Sequence, residues 1–349
     1  MSSCKSILIT GANGFVGVPL CRQALTLPTT QTIHGAVRSE PAAQKLPPGI
    51  TPVYIQDLAD LAHKPDLLSQ LDVIVHLAAR VHQLSDPTPE AYTTINTDAT
   101  LTLAQAASQA GVKRFIYLSS IKVNGEGSFR RPAPSHYTYT ENDLPQPLDP
   151  YGLSKWQAEQ GLWEIAQETG LEVVIIRPPL VYGPQVKANF LKLLGLAQRG
   201  LPLPLGSVEN ARSLIFVDNL ADALCACLTH PAAAGQTFLI SDGEDLSTPE
   251  LVRCLARAMK RPDVLLPVPA GVLLWAFSIL GRRSMAERLL GSLTVDSSKI
   301  HTTLNWQPPY RVEQGLQTTA EWFLQQRGAR SIKGGGASSI GGSGKGGTR

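Results

Sequence analysis

Short, unbroken apolar runs alternate with helically spaced segments through the first half of the chain. Ser6-Ile7-Leu8-Ile9, Thr32-Ile33-His34-Gly35-Ala36-Val37, Thr51-Pro52-Val53-Tyr54-Ile55, Asp72-Val73-Ile74-Val75-His76-Leu77, Arg114-Phe115-Ile116-Tyr117-Leu118 and Glu172-Val173-Val174-Ile175-Ile176-Arg177 read as strands. Apolar residues fill consecutive positions in these runs, as in strands covered on both faces. Helices are expected from the glycine turn after the first run through Leu25, and over roughly 89–110. Strands of this kind separated by helices imply an α/β protein with a doubly wound parallel sheet.

After Arg177 the texture changes. Pro178-Pro179, Gly183-Pro184, Pro202, Pro204 and Gly206 cluster, and short helices are expected from Asn219, Thr248, Ala270 and Val312. The chain therefore divides into a sheet domain at 1–178 and a smaller lobe, mainly 179–330, partly interleaved with it. Residues 331–349 form a Gly/Ser-rich tail that cannot bury a core and is expected to be disordered. No internal repeat is present. Residues 264–281 are nearly all apolar, but their uninterrupted part, 270–280, is shorter than the ~20 residues of a membrane span. A buried or half-buried helix is the first expectation there, and peripheral membrane contact the second.

Composition narrows the function classes. In 349 residues, 43% are hydrophobic, enough for a sizeable core. A net charge of +3 is too little to argue for nucleic acid or an acidic membrane surface. The five cysteines, Cys4, Cys21, Cys225, Cys227 and Cys254, form no CxxC pair, and no His cluster has metal-ligand spacing. A reduced, cytosolic protein without a metal is expected. The start, Met1-Ser2-Ser3-Cys4-Lys5, runs straight into a strand and leaves no room for a signal peptide.

Two motifs carry chemistry. Gly11-x-x-Gly14-x-x-Gly17 follows the first strand and opens a helix. Its glycines permit a tight turn, close approach of backbone to a pyrophosphate, and tight packing of helix on strand. The end of the second strand bears on which dinucleotide binds. Binders of NAD usually place an acid there for the ribose hydroxyls, whereas this chain has Val37-Arg38-Ser39, with no carboxylate before Glu40. A guanidinium suits a 2′-phosphate, so NADP(H) is favoured over NAD(H). Asp57, just after the third strand, suits the adenine amino group or else a helix cap.

The second motif is Tyr151-Gly152-Leu153-Ser154-Lys155. Residues four apart share one helix face, and an ammonium beside a phenol is expected to lower its pKa toward neutrality. Tyr151 then serves as general acid or base for a carbinol–carbonyl pair, with Lys155 holding the nicotinamide ribose. Ser120, in Leu118-Ser119-Ser120, ends a parallel strand, where such sheets bind ligands, and can bond the same substrate oxygen.

With His76-Leu77-Ala78-Ala79 and Arg177-Pro178-Pro179-Leu180-Val181-Tyr182-Gly183-Pro184, these motifs make the chain, over about residues 5–327, resemble the extended short-chain dehydrogenases/reductases of the nucleotide-sugar epimerase and dehydratase group. The resemblance implies a Rossmann-type domain with a C-terminal substrate lobe, and a bacterial, cytoplasmic homodimer formed through two helices, one bearing Tyr151. It implies that Asn13, Phe15, Val16, Leu58, Leu77, Ala78, Ala79, Ser119 and Pro178 line the dinucleotide, and that Asn96 supports the site near Lys155. It further implies a UDP-sugar substrate, with Asn189 and Arg212 on the diphosphate and Arg288 and Lys122 as weaker contacts. Departures exist: Val123-Asn124-Gly125 replaces the usual Val-Tyr-Gly, and Lys122 stands where epimerases more often carry a small hydroxyl residue. A subgroup resemblance to enzymes of bacterial surface polysaccharide puts reduction of a UDP-4-keto-6-deoxy-N-acetylhexosamine first. 4-Epimerisation of UDP-glucose or UDP-N-acetylglucosamine comes second, and a non-catalytic NADP-binding regulator is the remote alternative.

Overall fold

The computed structural model describes residues 6–81, 88–127 and 137–335, without the side chains of 283–285, 288 and 328–335. The strands are β1 (Ser6–Thr10), β2 (Thr32–Val37), β3 (Thr51–Tyr54), β4 (Val73–His76), β5 (Arg114–Leu118), β6 (Thr138–Tyr139), β7 (Glu172–Arg177), β8 (Leu180–Tyr182), β9 (Arg212–Phe216), β10 (Gln236–Leu239), β11 (Asp245–Leu246) and β12 (Thr294–Val295). Seven of them form one sheet in the order β10-β7-β5-β4-β1-β2-β3, parallel throughout. The expected strands up to Arg177 all lie in it. The order turns at β1, with β2 on one side and β4 on the other, which opens a crevice at their carboxyl ends.

The helices are α1 (Gly17–Ala24), α2 (Glu40–Ala43), α3 (Pro65–Leu68), α4 (Pro89–Tyr92), α5 (Ala99–Gln109), α6 (Pro150–Thr169), α7 (Ala188–Arg199), α8 (Val217–Thr229), α9 (Thr248–Ala258), α10 (Ala270–Ile279), α11 (Arg283–Leu290), α12 (Ser298–Leu304) and α13 (Val312–Gly335). Alternate strand residues feed opposite faces of the sheet. Ile7, Ile9, Val73, Val75, Val174 and Ile176 pack against α1 and α8. Leu8, Ile74, Phe115, Tyr117, Val173 and Ile175 pack against α5 and α6.

Helix α8 and β10, both beyond residue 178, belong to the seven-stranded sheet and its packing layer. The helix expected over 89–110 is interrupted by a π turn at Thr93–Asp98 between α4 and α5. The second lobe holds the small sheets β11-β9-β8 and β12-β6. Its core joins Tyr182, Phe190, Leu194, Phe216, Leu255 and Leu316. Helix α9 is opened by a capping box, the Ser247 side chain and Glu250 serving each other's backbone amides. Helix α13 continues to Gly335, through the first five residues of the stretch assigned to a disordered tail; a helix nucleated upstream extends at little cost per residue. Residues 336–349, the rest of that tail, lie outside the described residues.

Gly17 shows how tightly the first helix meets its turn. A Cβ there would stand 2.2 Å from the Gly11 carbonyl oxygen and 2.6 Å from that of Ala12. Both are backbone atoms that cannot step aside. Gly17→Ala is expected to destabilise the fold by about 1–3 kcal/mol, as overpacking does, measured by denaturant unfolding; a neutral result would mean α1 is free to shift.

Candidate active site

The crevice is lined first by the glycine turn. Gly11 has φ +66, in the left-handed region, and the Gly14 amide donates to its carbonyl at 2.9 Å. A Cβ on Gly11 would meet the Ala78 backbone nitrogen at 3.1 Å. The turn is thus packed directly against the 77–79 segment. Gly14 is exposed, and α1 begins without a side-chain cap on its first amides. A cradle that a Cβ would fill, ending at an uncapped helix N-terminus, fits a dinucleotide pyrophosphate.

A buried hydrogen-bond chain fixes this edge. The Leu77 and Ala78 amides each donate to Thr10 Oγ1 at 3.1 Å. Thr10 Oγ1 pairs with His76 Nδ1 at 2.8 Å, and His76 Nε2 with Thr100 Oγ1 at 3.0 Å. Thr100 donates its only hydroxyl proton to the Asn96 carbonyl, at 2.8 Å. His76 must therefore donate from Nε2 and accept at Nδ1. Burial pushes its pKa down to about 3, which keeps the ring neutral as that pattern requires.

Asn96, on the π turn, binds backbone and helix together. Its Oδ1 accepts from the Arg80 amide at 2.7 Å; its Nδ2 donates to the Arg80 carbonyl at 3.1 Å and to Ser154 Oγ at 3.0 Å. Ser154 in turn donates to the Tyr151 carbonyl at 2.9 Å. Helix α6 is set by Asp149, whose Oδ1 accepts from the Gly152 amide at 2.7 Å.

Ser120, Tyr151 and Lys155 meet at the carboxyl end of β5. The Ser120 hydroxyl lies near enough to the Tyr151 phenol to favour its ionised form. Lys155 is buried, and its Nζ donates to the Leu118 carbonyl at 2.8 Å and lies 4.4 Å from the centroid of the Tyr117 ring. The expected acidification of Tyr151 is corrected by this geometry. Burial pushes the Tyr151 phenol up to about 12, helped by the charge of Asp149, while the Ser120 hydroxyl pulls it back. The same burial pushes Lys155 down to about 7 against the support of Glu159. A partly discharged ammonium turned toward a carbonyl exerts little pull on the phenol.

Beneath the triad lies a network that no motif announced. Arg177, at the end of β7, donates from Nε to Glu159 Oε1 at 3.0 Å and from Nη2 to Oε2 at 2.5 Å. Ser119 Oγ donates to the same carboxylate, and Arg177 Nη1 donates to Asn124 Oδ1 at 3.0 Å. All four residues are buried. Glu159 stands four residues after Lys155 on the same face of α6, and that spacing was its one signal in the sequence.

The remaining expected residues divide. Leu77, Ala78 and Ala79 line the crevice half-buried, and Pro178 is buried, its carbonyl accepting from the Ile121 amide at 3.0 Å. Asn13, Phe15 and Val16 belong to the turn, although Phe15 and Val16 also pack on the second lobe's core. Leu58 sends its side chain into the core. Asp57 Oδ1 accepts from the Ala59 and Asp60 amides at 2.8 and 3.2 Å, so the capping alternative is realised, with the carboxylate still exposed. Arg38 is exposed just past β2. Lys122 does not stand free for substrate: its Nζ pairs with Glu126 at 2.8 Å and with Asp149. Asn189 is exposed on the first turn of α7. Arg212 opens β9, and its Nη1 donates to the Gly291 carbonyl at 2.9 Å. The Arg288 side chain lies outside the described residues. Among the described residues, no cluster of three or more His, Cys, Asp or Glu could hold a metal.

The depressed Lys155 sets a pH-dependent stability. Its folded pKa, about 7, lies below the usual 10.5. Below pH 7 the folded state therefore bears a buried ammonium. Between 7 and 10.5 only the unfolded state keeps the proton, and stability rises with pH there. Lys155→Met is expected to unfold at higher temperature than the parent protein below pH 7, with the margin shrinking as pH climbs toward 10.5. Calorimetry across that range checks the sign; a margin that grows with pH would refute the buried, depressed ammonium.

Comparison with known proteins agrees with this geometry. The model of the NAD dependent epimerase/dehydratase family matches residues 7–241. A Vibrio cholerae protein described as UDP-glucose 4-epimerase is 42% identical over 332 residues, covering 92% of this chain and 96% of that one. An Escherichia coli O157:H7 protein, N-acetyl-alpha-D-glucosaminyl-diphospho-ditrans,octacis-undecaprenol 4-epimerase, is 28% identical and covers 91% and 95%. The crystal structure of a UDP-glucuronic acid 4-epimerase from Bacillus cereus in complex with NAD superposes with a TM-score of 0.71 at 23% identity, covering 92% and 99%, and thus shares the fold. On the family match and on a relative alike along nearly its whole length, this chain belongs to the NAD-dependent epimerase/dehydratase family of extended short-chain dehydrogenases/reductases, as a nucleotide-sugar enzyme.

Proposed function

We propose that this chain interconverts C4 epimers of a UDP-hexose or UDP-N-acetylhexosamine, using a dinucleotide held by the glycine turn. The observation that carries this reading is the meeting of Ser120, Tyr151 and Lys155 at the carboxyl end of β5, and the 4-epimerase relatives favour it over reduction. Tyr151 takes the proton of the C4 hydroxyl and returns it after the 4-keto sugar has turned its other face. Ser120 holds the same oxygen. Lys155 steadies the nicotinamide ribose, with Asn96 behind it. Gly11, Gly14 and the α1 amides take the pyrophosphate, and Ala78 and Ala79 flank it. When bound, the dinucleotide supplies the hydride acceptor and, oxidised, a positive ring that favours the phenolate of Tyr151. Asn189 and Arg212 take the UDP diphosphate.

The second reading is the 4-keto reductase placed first from the sequence. Arg38 favours it: β2 ends without a carboxylate, and the first one after it, Glu40, accepts a hydrogen bond from the Tyr54 hydroxyl. A 2′-phosphate then has a partner, and NADP(H) that enters and leaves as co-substrate suits reduction. A homodimer through α5 and α6 is the proposed assembly; Leu101, Ala106 and Ile165 line a groove between those helices. The free thiols Cys21, Cys225 and Cys227 suit a cytoplasmic setting.

The deciding experiment extracts dinucleotide from the purified protein, then assays interconversion of UDP-glucose and UDP-N-acetylglucosamine with their C4 epimers. N-acetylglucosaminyl-diphospho-undecaprenol, the carrier in the Escherichia coli relative's name, is the third substrate. Retained NAD with interconversion supports the epimerase. An empty site that consumes NADPH with the UDP-4-keto sugar supports the reductase. Tyr151→Phe is expected to lower kcat about 10²–10⁴-fold while dinucleotide affinity holds; unchanged turnover would point to a non-catalytic regulator. Arg38→Ala is expected to weaken NADPH binding roughly tenfold and leave NADH nearly unaffected; equal losses would remove the 2′-phosphate role.

A further inference from the structure

The helix in the apolar stretch at 264–281 is half-buried, as expected, and the face it leaves open is apolar. Helix α10 buries Leu273, which packs with Phe277 on Ala286 and Leu290 of α11. The opposite stripe is bare. Val272, Trp275 and Ile279, at helical spacing three and four apart, are 52%, 67% and 66% exposed, and Leu280 is 67% exposed. Val264 and Leu266, in the loop leading to α10, add to the exposed apolar surface at 46% each. An apolar surface of this size on a folded lobe marks an interaction site.

Charge selects the occupant. No Asp or Glu occurs between Asp263 and Glu287, while Lys260 and Arg261 precede the stretch and Arg282 and Arg283 follow it. Residues 260–283 therefore carry four cations against one anion, a net +3 that equals the charge of the whole chain. Two-fold pairing with a second copy would bring these cations together with only Asp263 among them as a carboxylate. An anionic lipid surface meets both needs, taking the apolar stripe into its headgroup boundary and pairing the flanking cations with lipid phosphates. Among the described residues no helix is long and apolar enough to cross a membrane, so contact is in the plane of the interface.

We propose that α10 and the loop before it form a docking face for an anionic bilayer surface, Trp275 and Ile279 entering the interface and Arg282 binding lipid phosphates beside them. The inference is independent of the reaction at C4.

The test uses the full chain and vesicles of phosphatidylglycerol mixed with phosphatidylethanolamine, with phosphatidylcholine vesicles as control. Cosedimentation with the anionic vesicles is expected, weakened by salt, with a blue shift of tryptophan emission that Trp275→Phe abolishes. The Trp275→Ser, Ile279→Ser double variant is expected to bind about tenfold or more weakly, with unfolding temperature and sugar-nucleotide turnover unchanged. Arg282→Glu, which leaves the apolar stripe whole, is expected to weaken anionic binding alone. Parent protein that stays in the supernatant, or variants that bind as well as the parent, overturns the proposal. A double variant that shifts from dimer to monomer in light scattering, without vesicle binding by the parent, assigns the face to a second copy and overturns it too.

Discussion

A carboxylate buried with no water to solvate it must be paired, and Glu159 is paired three ways: with two nitrogens of Arg177 and with the hydroxyl of Ser119. Those partners end β7 and β5, and Glu159 itself lies on α6 one turn from Lys155. The contact therefore joins the helix that carries Tyr151 and Lys155 to the strands that end near Ser120. Breaking such a pair by removing one partner costs about 3–5 kcal/mol, because the other charge is left stranded. That cost makes the placement of α6 on the sheet nearly all-or-none, and the reach from Tyr151 to Ser120 depends on it. Asn124 closes the network on Arg177 and ties it through Nδ2 to the Thr140 carbonyl at 3.0 Å. The asparagine that departs from the family's Val-Tyr-Gly pattern is thus a structural partner of the arginine.

What was legible in the sequence is what physics makes local. A parallel strand buried on both faces must run apolar through its middle, so β1, β2, β4, β5 and β7 announce themselves. A turn that must take φ +66 at Gly11 and admit a helix against bare backbone at Gly17 must be glycine at both. Tyr151 and Lys155 share a helix face through spacing alone. The rest was written across long separations. Arg177 finds Asn124 from 53 positions away, and Thr10 finds His76 from 66. Neither motif containing them, Arg-Pro-Pro or His-Leu-Ala-Ala, says which atom it will meet. The π turn that aims Asn96 at Ser154 leaves no mark in composition. The apolar pattern at 270–280 announced a buried or half-buried helix but not which face packs, because periodicity carries no signal when every face is apolar.

The electrostatics of the site follow from one conflict. Burial that shapes the crevice raises the phenol of Tyr151 and lowers the ammonium of Lys155, and both shifts oppose a tyrosinate. The spacing argument assumed a full positive charge near the phenol; the folded chain turns that charge toward the Leu118 carbonyl. The protein's own groups do not make a strong base at neutral pH. A positive charge entering the crevice would act on both groups in a low dielectric, and only Tyr151 would gain from it. In the chain alone, the Tyr151 phenol is therefore held protonated at neutral pH.

Asp149 sharpens this arrangement. One carboxylate oxygen caps α6 at the Gly152 amide, and the other pairs with Lys122. Its negative charge is the largest influence after burial that raises Tyr151. Lys122 partly neutralises that charge, and Glu126 competes for the same ammonium at 2.8 Å. A substrate group that drew Lys122 away would leave Asp149 more negative and Tyr151 a poorer acid; one that pressed Lys122 onto Asp149 would do the reverse. The lysine where a small hydroxyl residue was expected thus acts on the Tyr151 phenol through Asp149, two residues ahead of it.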